Sequence, residues 1–474
     1  MTFVLFKEKP ITMIKKLLFA LIIFPSVLVA QNTIKGTFTP AEEFKFAFLY
    51  KVTSTTSLFV NNADVNEDGS FTINLDSTAT KGMYRIVYAQ PQDEYNFDFI
   101  YNNEDIELTY SLDKGLDFIA SKENKLLMSY RNSISLVSQN INAFYSNSNQ
   151  KEKEFKRIFK TLKDTQNEFE NASEGTIASH FIKASRPYFP SEFEDAETFS
   201  ENLKNHYFDH VDYNDQVLQN SGFLIDTSLN YVFTFINQDY ENTSYNNNID
   251  DVVNAIGDSN SIKHIILEVL WNQFADPQYE SVANYIATTY LLDIAKTSND
   301  TELIEKLILF KNTSLGETAP DFTLEIPKDD TVELIKLSDY NEAERYVVVF
   351  WSSTCSHCLE ELPKLQDYSK SFEKDRLQII AIGLEDEPYR WKDKTYELSN
   401  FLHVYGEGRW ENEIGNAYGV TATPTYFVLD ANKKIIDKPV DFEAFKIFNN
   451  EKPFKIKDSD VKQLDIKEPL IKED

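Results

Sequence analysis

One short stretch, residues 346–365, constrains the fold of this chain more than any other. It opens with the apolar run Tyr346–Phe350, typical of a buried strand, and closes with the helical apolar spacing of Leu359–Leu365. Between these two segments lie Cys355 and Cys358, the only two cysteines of the sequence. Cys355 therefore falls at the N-terminus of the predicted helix, where the partial positive charge of the helix end stabilises a thiolate. A Cys-x-x-Cys pair in this position predicts a redox-active dithiol.

The length of the chain limits the number of domains, and its charge limits the kinds of partner that it can bind. A sequence of 474 residues is long enough for about three domains. The formal net charge of −29 argues against a nucleic-acid partner, because phosphate binding needs clustered cations. Two cysteines cannot supply a disulfide framework, and His357 is the only histidine close to them, too few ligands for a zinc site. We therefore expect no metal and no cofactor.

The N-terminal segment, residues 1–30, has the pattern of a secretory signal peptide. Lys15 and Lys16 form a basic start, the apolar run Leu17–Phe24 follows, and Ala30 is a small residue suited to cleavage. Met13 is the expected true start. The alternative is an uncleaved N-terminal anchor, but the apolar run is short for a membrane span. This pattern predicts export to the periplasm or cell envelope.

The fold class predicted for the rest of the chain is multidomain. Residues 31–120 alternate apolar and polar side chains between turn signals, which predicts an antiparallel, sandwich-like β domain. Within this domain we expect Asn96–Tyr101 and Ile106–Tyr110 to form a hairpin. Residues 121–312 have helical spacing with few Gly and Pro residues, which predicts a helical middle region.

The C-terminal part alternates strand and helix signals. Residues 316–448 contain, around the dithiol, the further predicted strands Leu377–Gly383 and Thr425–Leu429. This alternation predicts an α/β layer architecture. Residues 449–474 are rich in charge, which indicates a loosely packed tail.

Several motifs in this α/β region support a resemblance to a known family. They are Gly316-x-x-Ala319-Pro320-x-Phe322, Phe350-Trp351, Cys355-x-x-Cys358, Glu361, Pro363, and Tyr418-Gly419-Val420-x-x-Thr423-Pro424-Thr425. With them, residues 316–448 resemble the thioredoxin-fold domain of the exported TlpA/ResA-like thiol-disulfide oxidoreductases. The region before residue 316 resembles, more weakly, the β domains of envelope thioredoxin-like proteins.

The resemblance implies roles for five positions. Cys355 would be the exposed nucleophile and Cys358 the buried resolving thiol, and the two would form the redox-active disulfide. Trp351 would pack near the dithiol. Pro424 would follow a cis peptide bond, leaving the backbone of Thr423 free to pair with a substrate strand.

Two side chains of the predicted helix bear on the reactivity of the dithiol. His357 would favour the Cys355 thiolate and give a reduction potential less reducing than that of thioredoxin, unless it points to solvent. Glu361 lies within one turn of Cys358 and could accept its proton, unless it is a solvated acid on the helix face. The buried acidic residue of cytosolic thioredoxins would fall at Val349, so that proton acceptor is missing here.

Two functions from different classes remain open. The first is an exported thiol-disulfide oxidoreductase that exchanges disulfides with envelope proteins through Cys355-Ser356-His357-Cys358, acting as a reductase. Its partners would be proteins with thiols or disulfides and an electron donor or acceptor, which could be membrane-bound. The alternative is an envelope protein that binds a ligand or partner through residues 31–312, with the thioredoxin-like domain as an accessory.

Overall fold

The computed structural model describes residues 32–454, apart from residues 55, 148, 149, 329 and 330. The predicted signal peptide, residues 1–30, lies outside the described residues, as does residue 455 onward of the predicted tail. Among the helices that are described, none is both long enough and apolar enough to cross a membrane. The chain divides into two compact units, residues 1–231 and 232–474.

The first unit opens with two four-stranded sheets, whose strand orders are β4-β1-β7-β8 and β3-β2-β5-β6. The strands are β1 (Thr33–Thr39), β2 (Phe46–Val52), β3 (Ser57–Asp64), β4 (Ser70–Asn74), β5 (Gly82–Val87), β6 (Asn96–Tyr101), β7 (Ile106–Ser111) and β8 (Gly115–Ala120). One apolar core takes alternate side chains from both sheets, including Ile34 and Leu108 from the first and Leu49 and Ile86 from the second. This period-two burial explains the alternating pattern of the sequence.

The predicted hairpin between Asn96–Tyr101 and Ile106–Tyr110 is wrong. Strand β6 pairs with β5, whereas β7 pairs with β1 and β8, so the two segments belong to different sheets. The β1–β7 pair is parallel, an exception among the antiparallel pairs of this region. The connection between β6 and β7 therefore passes from one sheet to the other, and at its end the Asp105 carboxylate accepts a hydrogen bond from the Thr33 N–H at 2.7 Å.

Helices follow the two sheets, and the last of them ends three residues beyond the first unit, which closes at residue 231. They are α1 (Lys122–Tyr145), α2 (Glu152–Ala172), α3 (Ala178–Ala184), α4 (Ala196–Asn205), α5 (Gln216–Gln219) and α6 (Phe223–Thr234). In α2, the residues Phe155, Ile158, Phe159 and Leu162 lie on one face and are buried against α1. This stripe is the helical spacing predicted from the sequence, and it fixes which face of α2 is buried.

Five helices precede the C-terminal domain in the second unit. They are α7 (Glu241–Ile256), α8 (Asn260–Phe274), α9 (Glu280–Ile286), α10 (Leu292–Ser298) and α11 (Thr301–Asn312), with a π-helical turn at Ala287–Leu291. They pack onto the domain that follows. The Glu280 carboxylate forms an ion pair with Lys438 and accepts a hydrogen bond from the Leu315 N–H at 2.7 Å.

The C-terminal domain is an α/β structure built on a five-stranded sheet of order β13-β12-β11-β14-β15, beside a hairpin of β9 and β10. Its elements are β9 (Thr323–Lys328), β10 (Thr331–Lys336), β11 (Arg345–Trp351), α12 (Ser356–Ser369), β12 (Leu377–Glu385), α13 (Pro388–Glu397), β13 (Leu402–Glu407), α14 (Glu413–Ala417), β14 (Thr425–Asp430), β15 (Ile435–Asp437) and α15 (Phe442–Glu451). Strands β11, β12 and β13 run parallel, while β14 and β15 are antiparallel additions. The predicted fold class, a β region, a helical middle and a C-terminal α/β domain, is confirmed.

The central strand β11 is buried along its whole length and divides the domain core in two. Val347, Val349 and Trp351 pack with Cys358 and the apolar residues of α12, and we call this side the dithiol face. Tyr346, Val348 and Phe350 pack on the other side of the sheet, which we call the opposite face. Burial on both sides explains why β11 reads as a continuous apolar run.

Two features of this domain differ from the sequence-based predictions. Strand β13 was not predicted, although it pairs in parallel with β12 at the edge of the sheet. The boundary predicted at residue 448 falls inside α15, whose Asn449 is buried rather than part of a loose tail. Arg345 explains this, because its guanidinium donates hydrogen bonds to the Asn449 side chain and to the Lys452 carbonyl, the second at 2.9 Å.

Candidate active site

The two cysteines lie where β11 turns into α12. Strand β11 ends at Trp351, and Cys355 is the N-cap of the helix that begins at Ser356. The Cys355 Sγ accepts a hydrogen bond from the Cys358 N–H at 3.2 Å, which satisfies one of the free N–H groups at the start of the helix. The Cys355 sulfur is therefore held at the positive end of the helix dipole, the position that the sequence predicted.

The Cys355 thiol is half-buried, and its pKa is lower than the ordinary value for cysteine. Burial raises this pKa, but hydrogen bonds from the Cys358 side chain and N–H, the Thr423 side chain and the His357 N–H outweigh the burial. These donors all stabilise the negative sulfur. Cys355 is consequently the thiol that ionises first.

The Cys358 thiol has the opposite environment. Its side chain is fully buried on the dithiol face. Burial, with a further contribution from Cys355, raises the pKa of Cys358 to about 12. The two sulfurs of one motif thus differ in acidity, because one thiol ionises more readily than an ordinary cysteine and the other ionises less readily.

The segment Thr423–Pro424 borders Cys355 from the other side. The peptide bond between these residues is cis, as the resemblance implied. The Cys355 Sγ lies 3.4 Å from the Thr423 carbonyl oxygen, to which the thiol donates a hydrogen bond. The segment just before β14 therefore touches the sulfur that is expected to meet the substrate.

Glu361 is buried on the inner side of α12, so it is not a solvated acid of the helix face. Its Oε2 accepts hydrogen bonds from the Tyr426 hydroxyl at 2.7 Å and from the Phe442 N–H at 3.3 Å. Phe442 is the first residue of α15, so the carboxylate also lies at a helix N-terminus. Three residues after Cys358, this carboxylate is placed as a candidate proton acceptor.

The His357 side chain points outward from the start of α12, with 63% of its surface exposed. Its Nε2 lies 3.4 Å from the Glu361 Oε1. The contribution of His357 to the Cys355 sulfur comes through its backbone N–H, not through the imidazole. The imidazole is therefore associated with the Glu361 carboxylate, while its predicted effect on the Cys355 thiolate stays a prediction.

Trp351 is completely buried on the dithiol face, in the same apolar cluster as Cys358. Its indole Nε1 has no hydrogen-bond partner within the described residues. The ring lies among apolar side chains and forms part of the apolar surface against which Cys358 packs.

Two polar residues near the site were not predicted from the sequence. Tyr426 pairs with Val349 across β11 and β14, and its hydroxyl donates the hydrogen bond to Glu361. The buried Glu385, at the end of β12, accepts a hydrogen bond from the Ser353 N–H in the turn before Cys355. The sequence does contain a signal for Glu385, because a charged residue ends an otherwise apolar strand. It contains none for the Tyr426 contact, which depends on how the strands pair.

Comparisons with known proteins agree with this geometry. Residues 315–438 match the model of the AhpC/TSA family. Thiol-disulfide oxidoreductase ResA of Geobacillus thermodenitrificans is 30% identical over 122 residues, which are 26% of this chain and 67% of that protein. The ResA protein of Oceanobacillus iheyensis is 31% identical over 128 residues, 26% of this chain and 62% of its own length.

Solved structures similar to the chain include a domain of a possible thiol-disulfide isomerase from Cytophaga hutchinsonii. It is 27% identical and covers 32% of this chain and 97% of its own, with a TM-score of 0.25. The family assignment rests on the sequence relatives, since the Geobacillus protein is matched over two thirds of its length. The chain therefore belongs to the thioredoxin-like thiol-disulfide oxidoreductases and is an enzyme of that class.

Proposed function

We propose that this protein is exported and reduces disulfides of envelope proteins through the dithiol Cys355–Cys358. The observation that carries this proposal is the contrast between the two sulfurs, one half-buried with a lowered pKa and one fully buried with a raised pKa. Such a contrast suits a first thiol that attacks and a second that resolves. The segment Thr423–Pro424 beside Cys355 supports a role in holding the substrate strand.

The proposed reaction has two exchange steps. The Cys355 thiolate attacks one sulfur of a substrate disulfide, forming a mixed disulfide and releasing the other substrate sulfur as a thiolate. Cys358 then passes its proton to Glu361 and attacks the Cys355 sulfur, so the Cys355–Cys358 bond forms and the mixed disulfide breaks. Two electrons have moved from the dithiol to the substrate, and both released thiolates take up protons.

The direction, the partners and the location are parts of the same proposal. The resemblance favours a reductase regenerated by an electron donor, which we place in the membrane. Export rests on the signal-like pattern of residues 1–30. In our proposed organisation, residues 31–120 form the β domain, 121–312 the helical region and 316–448 the redox domain, extended to the end of α15.

Two variants test the proposed reaction. The wild-type protein should reduce insulin disulfides in the presence of a dithiol, and Cys355→Ser should lose this turnover completely. Cys358→Ala should attack but not resolve, and should accumulate mixed disulfides with envelope proteins that a reductant releases. Absence of turnover in the wild type, together with absence of trapped mixed disulfides in Cys358→Ala, would exclude the proposed function.

The alternative function, binding of a ligand, has one structural observation in its favour. A cavity of about 610 Å³ in the first unit is lined by aromatic side chains and by four charged residues, Arg85, Asp98, Arg131 and Asp226. Arg85 and Asp98 are joined by two hydrogen bonds of 2.6 and 2.9 Å. Apolar walls with a few charged groups are typical of small-molecule sites.

This alternative predicts that Arg131→Ala leaves insulin reduction unchanged but weakens retention of a small molecule that copurifies with the protein. Native mass spectrometry of the full chain, before and after mild denaturation, would detect such a ligand. A protein that carries nothing in its native state, yet turns over insulin, favours the oxidoreductase function alone.

A further inference from the structure

The Glu361 carboxylate is held from three directions. The Tyr426 hydroxyl and the Phe442 N–H donate to its Oε2 at 2.7 and 3.3 Å, and the His357 Nε2 lies 3.4 Å from its Oε1. Tyr426 and Phe442 are buried, whereas 63% of the His357 side chain is exposed. The carboxylate therefore has a fixed position in the core, and His357 connects it with solvent.

We infer that Tyr426 is a positioning residue for the proton transfer that activates Cys358, and that His357 carries the proton between Glu361 and solvent. This inference rests on the proposed function, because it concerns the step in which Cys358 resolves the mixed disulfide. It assigns a task to Tyr426, which the sequence did not single out.

The hydrogen bond between Tyr426 and Glu361 has a fixed direction. Burial raises the pKa of Tyr426 far above its usual range, and the neighbouring Glu361 carboxylate raises it further. The phenol therefore stays protonated and donates to Glu361 at every pH at which the enzyme is studied. A hydrogen bond donated to a charged oxygen is short and directional, so it holds the Glu361 carboxylate in one orientation on the inner side of the helix.

The backbone explains how a tyrosine reaches this position. Tyr426 follows the cis bond Thr423–Pro424 by two residues and pairs with Val349 across the sheet. Its ring packs on the dithiol face, in the cluster that contains Cys358. The segment that contacts the Cys355 sulfur through the Thr423 carbonyl thus also supplies the hydroxyl that holds Glu361.

The proton route is then complete without an external reactant. Cys358 loses its proton to the Glu361 carboxylate, which becomes a carboxylic acid, and the Cys358 thiolate attacks the Cys355 sulfur. The carboxylic acid passes the proton to the imidazole of His357, which releases it to water. The substrate thiolate that leaves takes up a proton from solvent, so charge and protons balance.

Other titratable groups that face this centre belong to two elements. Cys355 and Cys358 lie on the same helix as Glu361, and the Cys358 sulfur interacts electrostatically with the Tyr426 hydroxyl. Asp441, the N-cap of α15, also interacts electrostatically with Tyr426 and adds negative charge. A pH effect of Tyr426 must therefore be judged against a control tyrosine of the same domain.

Tyr418 provides that control. It is buried on the opposite face, and its hydroxyl donates a hydrogen bond of 2.8 Å to the Pro320 carbonyl. Tyr418→Phe therefore removes a comparable buried hydrogen bond without touching Glu361. Tyr426→Phe removes the contact with Glu361 while retaining the ring.

The test is the reaction of the reduced full-length protein with 5,5′-dithiobis(2-nitrobenzoate), followed by stopped flow between pH 5.5 and 9. The first release of thionitrobenzoate reports the attack by Cys355, and the second reports the resolution by Cys358. In Tyr426→Phe we expect an unchanged first phase. The second phase should be about tenfold slower at pH 7, because a hydrogen bond to a charged group is of that order, and its pH profile should differ from that of Tyr418→Phe.

Two further variants separate positioning from general damage. Glu361→Gln should slow the second phase at least as much as Tyr426→Phe, and the double variant should be no slower than Glu361→Gln alone. His357→Gln should slow the second phase about two- to threefold, and added imidazole should restore it, as expected for a lost proton carrier.

The outcomes are distinct. Equal pH profiles for Tyr426→Phe and Tyr418→Phe, or equal slowing of both phases in Tyr426→Phe, would overturn the role of Tyr426. Failure of imidazole to restore His357→Gln would overturn the role of His357. A wild-type protein that shows neither phase would overturn the proposed function itself, which separates that failure from a failure of this inference.

Discussion

Alternate residues of β11 pack on the two faces of the central sheet. The two faces differ in the hydrogen-bond partners of their buried polar atoms. Each face buries a tyrosine whose hydroxyl donates one hydrogen bond. On the opposite face, Tyr418 donates to the Pro320 carbonyl, a neutral backbone group. On the dithiol face, Tyr426 donates to the Glu361 carboxylate. Both faces are packed with apolar side chains. A buried hydroxyl that donates to a backbone carbonyl contributes to stability, whereas one that donates to a titratable carboxylate can also affect reactivity.

The largest expected contrast lies within the dithiol face, between its two thiols. Because its pKa is lowered, Cys355 forms its thiolate at a lower pH than an ordinary cysteine does. Cys358, with a pKa of about 12, stays protonated at pH 8. Since only thiolates are alkylated, iodoacetamide at pH 8 should modify Cys355 more than about a hundredfold faster than Cys358. Mass spectrometry of the reduced, native protein measures this ratio, and equal labelling would contradict it.

The next contrast compares adjacent aromatic residues on the two faces. Trp351→Ala and Phe350→Ala each remove a fully buried ring and should each lower the free energy of unfolding by about 3–5 kcal/mol. Chemical denaturation measures this loss. Only Trp351→Ala should also slow insulin reduction by the folded protein, because Trp351 shares a cluster with Cys358 and Phe350 does not. Equal slowing in both variants would show that the faces are not functionally distinct.

The two tyrosines give a smaller contrast in stability. Tyr426→Phe removes a hydrogen bond to a charged group and should cost about 1.5–3 kcal/mol, whereas Tyr418→Phe should cost about 0.5–1.5 kcal/mol. Urea unfolding at pH 7 measures both values. A larger cost for Tyr418→Phe would argue that Glu361 does not depend on Tyr426.

The smallest effect is expected at His357. Its side chain is largely exposed, so its interaction with Glu361 is screened by water and should contribute at most about 0.5 kcal/mol to stability. Urea unfolding of His357→Gln should therefore match the wild type closely. A loss above about 1 kcal/mol would show that His357 is a structural partner of Glu361 rather than its connection with solvent.

The sequence allowed much of the C-terminal domain to be predicted, because its signals are local. The apolar run of β11, the position of Cys355 at a helix start and the helix through Glu361 follow from spacing within about 20 residues. The cis bond before Pro424 needed the family resemblance as well, since an X–Pro bond is trans by default.

The features that escaped prediction depend on contacts between distant residues. The Tyr426 hydroxyl reaches Glu361 only after β14 has paired with β11. The separation of β6 and β7 into two sheets follows from the pairing of β7 with β1, which joins residues about as far apart as Asp105 and Thr33, 72 positions along the chain. The buried Asn449 likewise accepts a hydrogen bond from Arg345, at the start of the central strand. Local periodicity contains no information on such pairs.

The ion pair between Glu280 and Lys438 bears on where a fragment that contains the redox domain should begin. A fragment that begins at Gly316 would retain the sheet and both cysteines, but it would lose the anion that faces Lys438. It would also uncover the place where the Leu309 side chain lies against Gly419, a few residues before the cis bond. A fragment for separate study should therefore begin upstream of α9. It then includes the helices that supply Glu280 and Leu309 to the redox domain.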